Sequence, residues 1–449
     1  MYKYLEILNH LESLIQAGKY KEGDKLPSIR AFTESYGCNK STIIRALEEL
    51  ERQHRVYSVP KSGYYVVKRK NTVNSNKELL LDFASSAPDP QVFPYLDFQH
   101  CINEAIDIYK NELFIYGTSK GLPSLINIMQ KHLANYQVFT NKDNIFITSG
   151  VQQALAILTT LTFPNKKEAI LIEQPSYHLF IDYLETHKVP VIGIKRTSKG
   201  IDLNELERIF KTESIKFFYT MPRFHNPLGT SYSQKEKKAI VKLAEKYDVF
   251  IVEDDYLADL EEDSKADPLY AYGDFSHVIY LKSYSKIIFP GLRIGAAVIP
   301  DAILESFGKY KRLIDVDSPM LSQAALEIYI KSGMFQRHKQ KIKDSYSLRS
   351  QCLASTLEKQ YEAYSDVFKY ESIKNPSIHT YITFDEKINR ERLISRLKKK
   401  SIIVATEQGH YLSSFPREKM LKLNATNVKE EHIEKGISQI IQELKDMKI

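Results

Sequence analysis

VIYLKSYSKIIFPGLRIGAAVIP (residues 278–300) decides the fold, because two apolar, β-rich runs enclose a polar turn. That turn holds Lys286 directly after the first run and Arg293 seven residues later. Turns at the carboxyl ends of parallel strands are where α/β proteins bind ligands. A lysine at a strand end is more often an exposed cation than a nucleophile. Apolar residues surround Lys286, however, and favour the neutral amine that a Schiff base requires.

Similar apolar runs occur upstream of this stretch, and each is short enough to be one strand. They are NIFITSG (144–150), AILIEQP (169–175), KFFYTMP (216–222) and VFIVEDD (249–255). Amphipathic segments such as KEKKAIVKLAEKY (235–247) separate them. Strands without polar alternation, divided by amphipathic helices, predict a mostly parallel sheet covered on both faces.

Residues 1–70 predict a separate domain of three helices and a hairpin. Apolar residues recur at helical spacing over residues 4–16, a second helix begins at Pro27-Ser28, and a third begins at Ser41-Thr42 after the turn at Gly37. A strand, a tight turn at residues 60–63 and a second strand follow. This order predicts a winged helix-turn-helix.

The charge of the chain is concentrated in this first domain. Residues 1–70 hold 13 Lys+Arg against 8 Asp+Glu, which gives +5 of the total +7. The polar stretch KRKNTVNSNKELL (68–80) then interrupts the apolar pattern, so we expect a linker over residues 71–81 and a second domain over residues 82–449.

In a winged helix the second helix of the motif enters the major groove, while the preceding helix and the wing meet phosphates. The predicted DNA-binding residues are Arg30, Asn39, Lys40, Ser41, Thr42, Lys61, Ser62 and Gly63. A small three-helix unit can also be a protein-docking module, so the spacing alone leaves both interpretations open.

Composition excludes several other classes of protein. The 449 residues contain no apolar run long enough to span a membrane, no signal-peptide core and only 3 Cys. Neither a disulfide framework nor a metal site is expected. The sequence predicts a folded, soluble, cytoplasmic protein of two or more domains.

The first domain resembles the GntR family of bacterial repressors. The resemblance lies in GKYKEGDKLPSIRAF (18–32), GCNKSTIIRALEELE (37–51) and VPKSGYYV (59–66). It implies binding to paired half-sites on double-stranded DNA. One departure is Lys40 where the family usually has Arg, and Lys cannot make a bidentate contact with guanine.

Polar groups at the other predicted strand ends match the needs of a pyridine aldehyde cofactor. A carboxylate such as Asp254 keeps the ring nitrogen protonated, an aromatic side chain such as Tyr177 stacks on the ring, and an amide such as Asn226 binds its oxygen. Helix N-terminal amides and a bidentate Arg hold a phosphate.

Residues 82–449 resemble the fold-type I, aspartate-aminotransferase-like proteins, which use pyridoxal 5′-phosphate (PLP). The motifs are YGTSKGLPSL (116–125), TSGVQQAL (148–155), PSYHLF (175–180), HNPLGT (225–230), EDDY (253–256) and SYSKIIFPGLRIG (283–295). The resemblance implies a small C-terminal α/β subdomain and a Schiff base (internal aldimine) on Lys286. It also implies cofactor contacts from Tyr116, Gly150, Val151, Gln152, Tyr177, Asn226, Asp254, Tyr256, Ser283, Ser285 and Arg293, with Tyr116 reaching the cofactor of a partner subunit.

Effector recognition is where the chain departs from that family. KMLKLNATN (419–427) offers Lys422 where aminotransferases have an Arg that pairs with a substrate carboxylate. Arg223 is either an alternative anchor or a surface cation.

A GntR winged helix fused to an aminotransferase-like domain is the pattern of the MocR-type regulators. The resemblance implies a homodimeric, PLP-dependent transcriptional regulator whose operator binding responds to an amine, an amino acid or PLP itself. Two alternatives remain open, namely a working aminotransferase with a DNA-binding module and a DNA-binding protein whose large domain only dimerises.

Overall fold

The computed structural model describes residues 3–21, 23–52, 55–59, 62–67, 80–85, 92–263, 266–373 and 377–448. The chain forms two compact units, residues 1–78 and residues 79–449. The predicted linker at 71–81 lies outside the described residues except for its last two positions.

The first unit has three helices and a two-stranded sheet. They are α1 (Lys3–Gln16), α2 (Ile29–Tyr36), α3 (Lys40–Arg52), β1 (Val56–Val59) and β2 (Gly63–Val66). Ser28 caps α2 by accepting a hydrogen bond from the Ala31 N–H at 3.2 Å, and Gly37 ends that helix in the left-handed conformation (φ 55°) that glycine adopts without strain. Buried residues from all three helices form one apolar core, among them Leu11 and Leu47.

The larger part of the second unit consists of the main sheet and the helices around it. In chain order its first elements are β3 (Leu81–Asp82), α4 (Tyr95–Tyr109), α5 (Pro123–Ala134), β4 (Ile145–Thr148), α6 (Val151–Thr160), β5 (Ala169–Gln174), α7 (His178–Thr186), β6 (Val191–Thr197), β7 (Gly200–Ile201), α8 (Leu203–Thr212), β8 (Ile215–Thr220), α9 (Gln234–Lys246), β9 (Phe250–Asp254), β10 (Val278–Ser283), β11 (Gly295–Val298), α10 (Asp301–Ile314) and α11 (Met320–Lys331).

The main sheet has eight strands in the order β4-β11-β10-β9-β8-β5-β6-β7. The five strands from β10 to β6 run parallel, while β11 pairs antiparallel with both β10 and β4. Strands β8 to β10 are buried along their whole length. The predicted mostly parallel sheet is confirmed, and the carboxyl ends of its parallel strands share one edge.

The rest of the chain forms the small C-terminal subdomain. Its elements are α12 (Met334–Tyr364), β12 (Phe368–Lys369), β13 (His379–Phe384), α13 (Arg390–Lys399), β14 (Ile402–Ile403), β15 (Ala405–Thr406), β16 (Met420–Asn424) and α14 (Glu430–Lys448). A four-stranded sheet in the order β12-β13-β16-β15 packs with these helices around its own apolar core.

The first strand of the second unit belongs to this subdomain and not to the main sheet. Strand β3 pairs in parallel with β14, with Leu81 opposite Ile402. Phe83 follows it, donates its N–H to the Ile403 carbonyl at 2.8 Å and is fully buried. In the described part of the chain, no helix is long and apolar enough to cross a membrane.

Candidate cofactor site and nucleic-acid interface

Lys286 lies in the turn that follows β10, at the carboxyl edge of the main sheet. The Ser285 N–H donates to the Ser283 Oγ at 3.2 Å and shapes the turn just before the lysine. Burial lowers the pKa of Lys286 to about 8. About a tenth of the amine is therefore neutral at pH 7, far more than in an ordinary lysine, and the neutral amine is the nucleophilic form.

Gly150 and Arg293 meet at the N-terminus of α6. Gly150 has a φ of 88°, and a Cβ on it would lie 2.8 Å from an Arg293 guanidinium nitrogen. That nitrogen, Nη2, donates to the Ser149 carbonyl at 2.7 Å. The first residues of α6, Val151 and Gln152, follow directly. Helix N–H groups beside a guanidinium form a cradle that suits a phosphate.

Three consecutive carboxylates end β9, and they point to two sides of the sheet. The Glu253 carboxylate accepts hydrogen bonds from the backbone N–H groups of Leu269 and Tyr270 at 2.8 and 2.9 Å, so both of its oxygens are used within the protein. Asp254, between the other two, turns to the opposite face because side chains alternate along a strand. The assignment of Asp254 to a ring nitrogen stays a prediction made from the family resemblance.

Asp254 is almost fully buried, and only one of its two carboxylate oxygens has a hydrogen-bond partner among the described residues. Its Oδ2 accepts the Tyr219 hydroxyl at 2.9 Å, while its Oδ1 has no hydrogen-bond partner among the described residues. Burial raises the pKa of Asp254 to about 7, the charge of Asp255 adds to the rise, and the Tyr219 hydrogen bond opposes it. A buried carboxylate with an unpaired oxygen fits a cationic N–H donor such as a pyridinium. The residues present therefore fit PLP.

Tyr177 connects the carboxylate end of the site with the phosphate end. Burial raises its pKa to about 12, the charge of Asp254 adds to the rise, and Arg293 and a hydrogen bond from Gln152 oppose it. Its ring thus lies within reach of both groups. Tyr256, by contrast, uses its hydroxyl on the Phe224 carbonyl at 2.8 Å.

Asn226 and Lys422 join the main sheet to the C-terminal subdomain. The Lys422 Nζ, on β16, donates to the Asn226 Oδ1 at 2.6 Å. Gly229, three residues after Asn226 in the loop between β8 and α9, has a φ of 74°. A Cβ on it would lie 2.0 Å from the carbonyl oxygen of His379. Burial and then the charge of Lys286 lower the pKa of Lys422 to about 7.

Three histidines around the two lysines were not predicted from the sequence. They are His178, His379 and His410. For each, burial first and then the charge of Lys422 lower the pKa, in His410 to about 3, so the rings are neutral at physiological pH. No motif marked them, because their positions depend on how distant segments pack.

Arg223 is neither an effector anchor nor a surface cation, which corrects the prediction. It is 3% exposed, its Nε and Nη2 bind the Asp255 carboxylate, and its Nη1 donates to the Ala266 carbonyl at 2.9 Å. The guanidinium fork is therefore occupied within the protein, and a buried charge pair of this kind is costly to break.

Tyr116 lies on the surface of the second unit. Its side chain is 83% exposed, although the next residue, Gly117, is fixed by its N–H bond to Asp317 at 2.6 Å. Within one chain the phenol is therefore held at the surface.

The predicted DNA-binding residues come together on one side of the first unit. Asn39, Lys40 and Ser41 are exposed at the start of α3, and Thr42 is half-buried. A groove of about 750 Å³ is lined by Lys25, Ser28, Arg30, Lys40, Ser58, Ser62 and Gly63, among others. Lys61 lies outside the described residues. A helix N-terminus and three cations beside a groove form a surface suited to phosphates and base edges.

Family models match both units. The family described as "Aminotransferase class I and II" matches residues 89–440, and "Bacterial regulatory proteins, gntR family" matches residues 3–66. The chain is 56% identical over 444 residues to the "Uncharacterized HTH-type transcriptional regulator YcxD" of Bacillus subtilis (strain 168), covering 99% of this chain and 100% of that protein.

Enzymes are more distant relatives. Aromatic-amino-acid aminotransferase 1 of Thermococcus litoralis is 26% identical over 374 residues, which are 82% of this chain and 88% of that protein. Kynurenine aminotransferase of Pyrococcus horikoshii, solved in complex with PMP, superposes with a TM-score of 0.74 at 26% identity over 82% of this chain and 91% of that one. LysN of Thermus thermophilus, an alpha-aminoadipate aminotransferase, superposes with a TM-score of 0.73 over 82% and 92% of the chains, and at 22% identity shows the fold alone.

Proposed function

Because the chain belongs to the aminotransferase class I and II family and carries a gntR-family region ahead of that domain, we propose that it is a PLP-dependent transcriptional regulator. PLP is held on Lys286, and a ligand at that site changes binding of the winged helix to its operator. The linker at residues 71–81 transmits the change.

The observation that carries this proposal is the buried Asp254 oxygen without a partner among the described residues. In this proposal it shares one site with Lys286, whose amine has a lowered pKa, and with the cradle of Gly150 and Arg293. These three groups match the ring nitrogen, the aldehyde and the phosphate of one cofactor. Bound PLP supplies an aldehyde carbon that accepts amines and an electron-accepting ring.

The remaining side chains orient and enclose the cofactor. We assign Tyr177 to the ring face, Asn226 to the ring oxygen, and Ser283, Ser285 and the α6 amides to the phosphate or its surroundings. Asp254 keeps its proton-accepting oxygen away from water, so it holds a proton on the ring nitrogen more firmly than an exposed carboxylate would.

A second copy of the chain completes the regulator in this proposal. Large apolar side chains are exposed on the second unit, namely Tyr95, Leu96, Ile108, Ile115, Tyr116 and Leu313. We infer that some of these side chains meet a second copy, because a homodimer matches paired DNA half-sites. Tyr116 would then reach the partner subunit's cofactor. DNA as the target implies a cytoplasmic location.

The ligand acts only through its differential affinity for two arrangements of the protein. An amine or amino acid that exchanges with Lys286, or PLP itself, supplies such a difference because it removes or adds charge in a buried site. A ligand that bound both arrangements equally would leave operator binding unchanged.

Absorbance tests the cofactor assignment. Purified protein mixed with PLP should develop a visible band that is absent from Lys286→Ala, while the exposed control Lys211→Ala keeps it. A band that persists in Lys286→Ala would refute the assignment of Lys286.

Footprinting upstream of the protein's own gene tests the regulator. Replacing Arg30 and Lys40 together by alanine should abolish the footprint while leaving the visible band intact, since these residues and Lys286 belong to different units. Operator binding that survives this double change would contradict the proposed docking surface.

A working aminotransferase is the second candidate, favoured by the completeness of the site and by the 26% identity to an aromatic-amino-acid aminotransferase. Steady turnover of an amino acid with a keto-acid acceptor would support that candidate. A single half-reaction without turnover would support the regulator.

A further inference from the structure

Ser149, the residue before the Gly150 corner, is held through all of its polar groups. Its carbonyl accepts a hydrogen bond from the Arg293 Nη2 at 2.7 Å. Its N–H donates to the Gln153 Oε1 at 2.9 Å, and its hydroxyl donates to the Asp315 Oδ2 at 3.1 Å. A glycine with a positive φ is otherwise a freely moving point in a chain, so these three bonds determine where the N-terminus of α6 points.

Gln153 links the start of α6 to a carboxylate 162 positions away. Its Nε2 donates to the Asp315 Oδ2 at 2.7 Å, while its Oε1 accepts the Ser149 N–H. A Gln that reaches back to an N-terminal N–H is a common capping arrangement, but capping uses only the side-chain oxygen. Here both ends of the amide are used, and the Asp315 oxygen that binds it also binds the Ser149 hydroxyl. Asp315 therefore holds the start of α6 directly and through Gln153.

The charge of Asp315 is balanced inside the protein. Asp315 directly follows α10, and its Oδ1 pairs with the Nζ of Lys311 one turn earlier. A Lys–Asp pair at this spacing is usually an exposed feature of little consequence. In this pair the Lys311 side chain is fully buried and that of Asp315 is 24% exposed. The ammonium offsets a negative charge that would otherwise lie beside a helix N-terminus suited to another anion.

We propose that Asp315 is a positioning residue for the phosphate of the cofactor. It acts through Ser149 and Gln153, which keep the first N–H groups of α6 and the Arg293 guanidinium in the arrangement that a phosphate needs. A site that is already arranged loses less conformational freedom on binding, and its affinity is higher for that reason. This assignment rests on the proposed function and adds to it a residue outside the predicted motifs.

The role requires a carboxylate at position 315. Asp315 accepts from three donors, namely the Ser149 hydroxyl, the Gln153 amide and the Lys311 ammonium. Asparagine has one acceptor oxygen, and its NH₂ group would face one of these donors. Because the two side chains have nearly the same volume, Asp315→Asn breaks the hydrogen bonds without leaving a cavity.

Two ligands that differ only in the phosphate test the proposal on the full-length protein. PLP and pyridoxal carry the same ring and the same aldehyde, and only PLP has the phosphate. Titration of the visible band gives a dissociation constant for each. The measured quantity is the ratio of the two constants, since damage to Lys286 or to the fold weakens both ligands while a loosened phosphate end weakens PLP alone.

Asp315→Asn should weaken PLP about tenfold, the effect of losing a hydrogen bond to a charged group, and should leave pyridoxal within about twofold. Gln153→Met should do the same. The double variant should lose little more than the weaker-binding single variant, because the two residues act as one unit. The control is Asp301→Asn at the other end of α10, where the carboxylate accepts from the Asn144 Nδ2 at 2.6 Å; it should keep the wild-type ratio.

A wild-type ratio in Asp315→Asn would overturn the proposal, whether both affinities stay or both fall, and so would fully additive losses in the double variant. If Asp315→Asn does not fold, Gln153→Met decides by the same ratio. If the visible band never forms in the wild type, the proposed PLP function fails, and inorganic phosphate decides the positioning role separately. Phosphate should raise the unfolding temperature of the wild type and of Asp301→Asn by more than that of Asp315→Asn; equal shifts would refute the role.

Discussion

Lys422→Met should stabilise the second unit at neutral pH, and the gain should disappear as the pH rises. The pKa of Lys422 falls from an ordinary 10.5 to about 7 in the fold, chiefly because the amine is buried. Between these two values the unfolded chain binds a proton that the folded chain does not. The free energy of unfolding therefore rises with pH from about 7 to about 10.

The size of the effect follows from the proton affinities. At pH 7 the unfolded lysine is protonated and the folded one is about half protonated, which corresponds to roughly 4 kcal/mol of lost stability. Losing the 2.6 Å bond to Asn226 offsets about 1 kcal/mol of the gain in the variant. For a unit of about 370 residues, the remaining ~3 kcal/mol raises the unfolding temperature by about 4 °C.

Calorimetry of the cofactor-free protein at pH 7 and pH 10 measures this difference. Fluorescence is less suitable because the chain has no Trp. The exposed Lys211→Met serves as the control. An advantage of Lys422→Met that is equal at the two pH values would refute the reasoning, as would a variant less stable than the wild type at pH 7.

Three further predictions concern different parts of the molecule. Gly229→Ala should lower the unfolding temperature in calorimetry and weaken the visible band, because its Cβ would lie 2.0 Å from the His379 carbonyl oxygen; an unchanged band would contradict the close packing. Tyr219→Phe removes the hydrogen bond that lowers the pKa of Asp254, so titration should show PLP affinity reduced about tenfold, the effect of roughly 1.4 kcal/mol. Leu47→Ala should cost the first unit about 2–5 kcal/mol and abolish operator binding at 37 °C in gel shifts while the visible band persists, whereas loss of both would show that the units do not fold separately.

Local sequence pattern was sufficient to place Lys286 in a turn after a strand, whereas the choice of Asp254 among three carboxylates rested on family resemblance and stays a prediction. Apolar runs of strand length end at Ser283 and at Asp254, and both residues lie at the predicted edge of the sheet. Alternation along β9 separates Asp254 from its two neighbours, and alternation is a property of the strand alone.

Contacts between residues far apart in the chain could not be predicted from the sequence. Arg223 follows a strand in a polar segment, which is typical of an exposed cation, yet it pairs with Asp255 inside the fold. The contact between Lys422 and Asn226 joins residues 196 positions apart. The hydrogen bond between Asn424 and His379 joins a cross-strand pair, and no local pattern encodes such a register.

Pairing of β3 with β14 fixes the start of the second unit in its C-terminal subdomain. Leu81, the last residue of the predicted linker, and Phe83 are fixed in the C-terminal subdomain rather than in the main sheet. A rotation of that subdomain carries this anchor point with it, while motion confined to the main sheet does not. The chain that comes from the first unit therefore enters the second unit in the part of the fold that also carries Lys422 and His379.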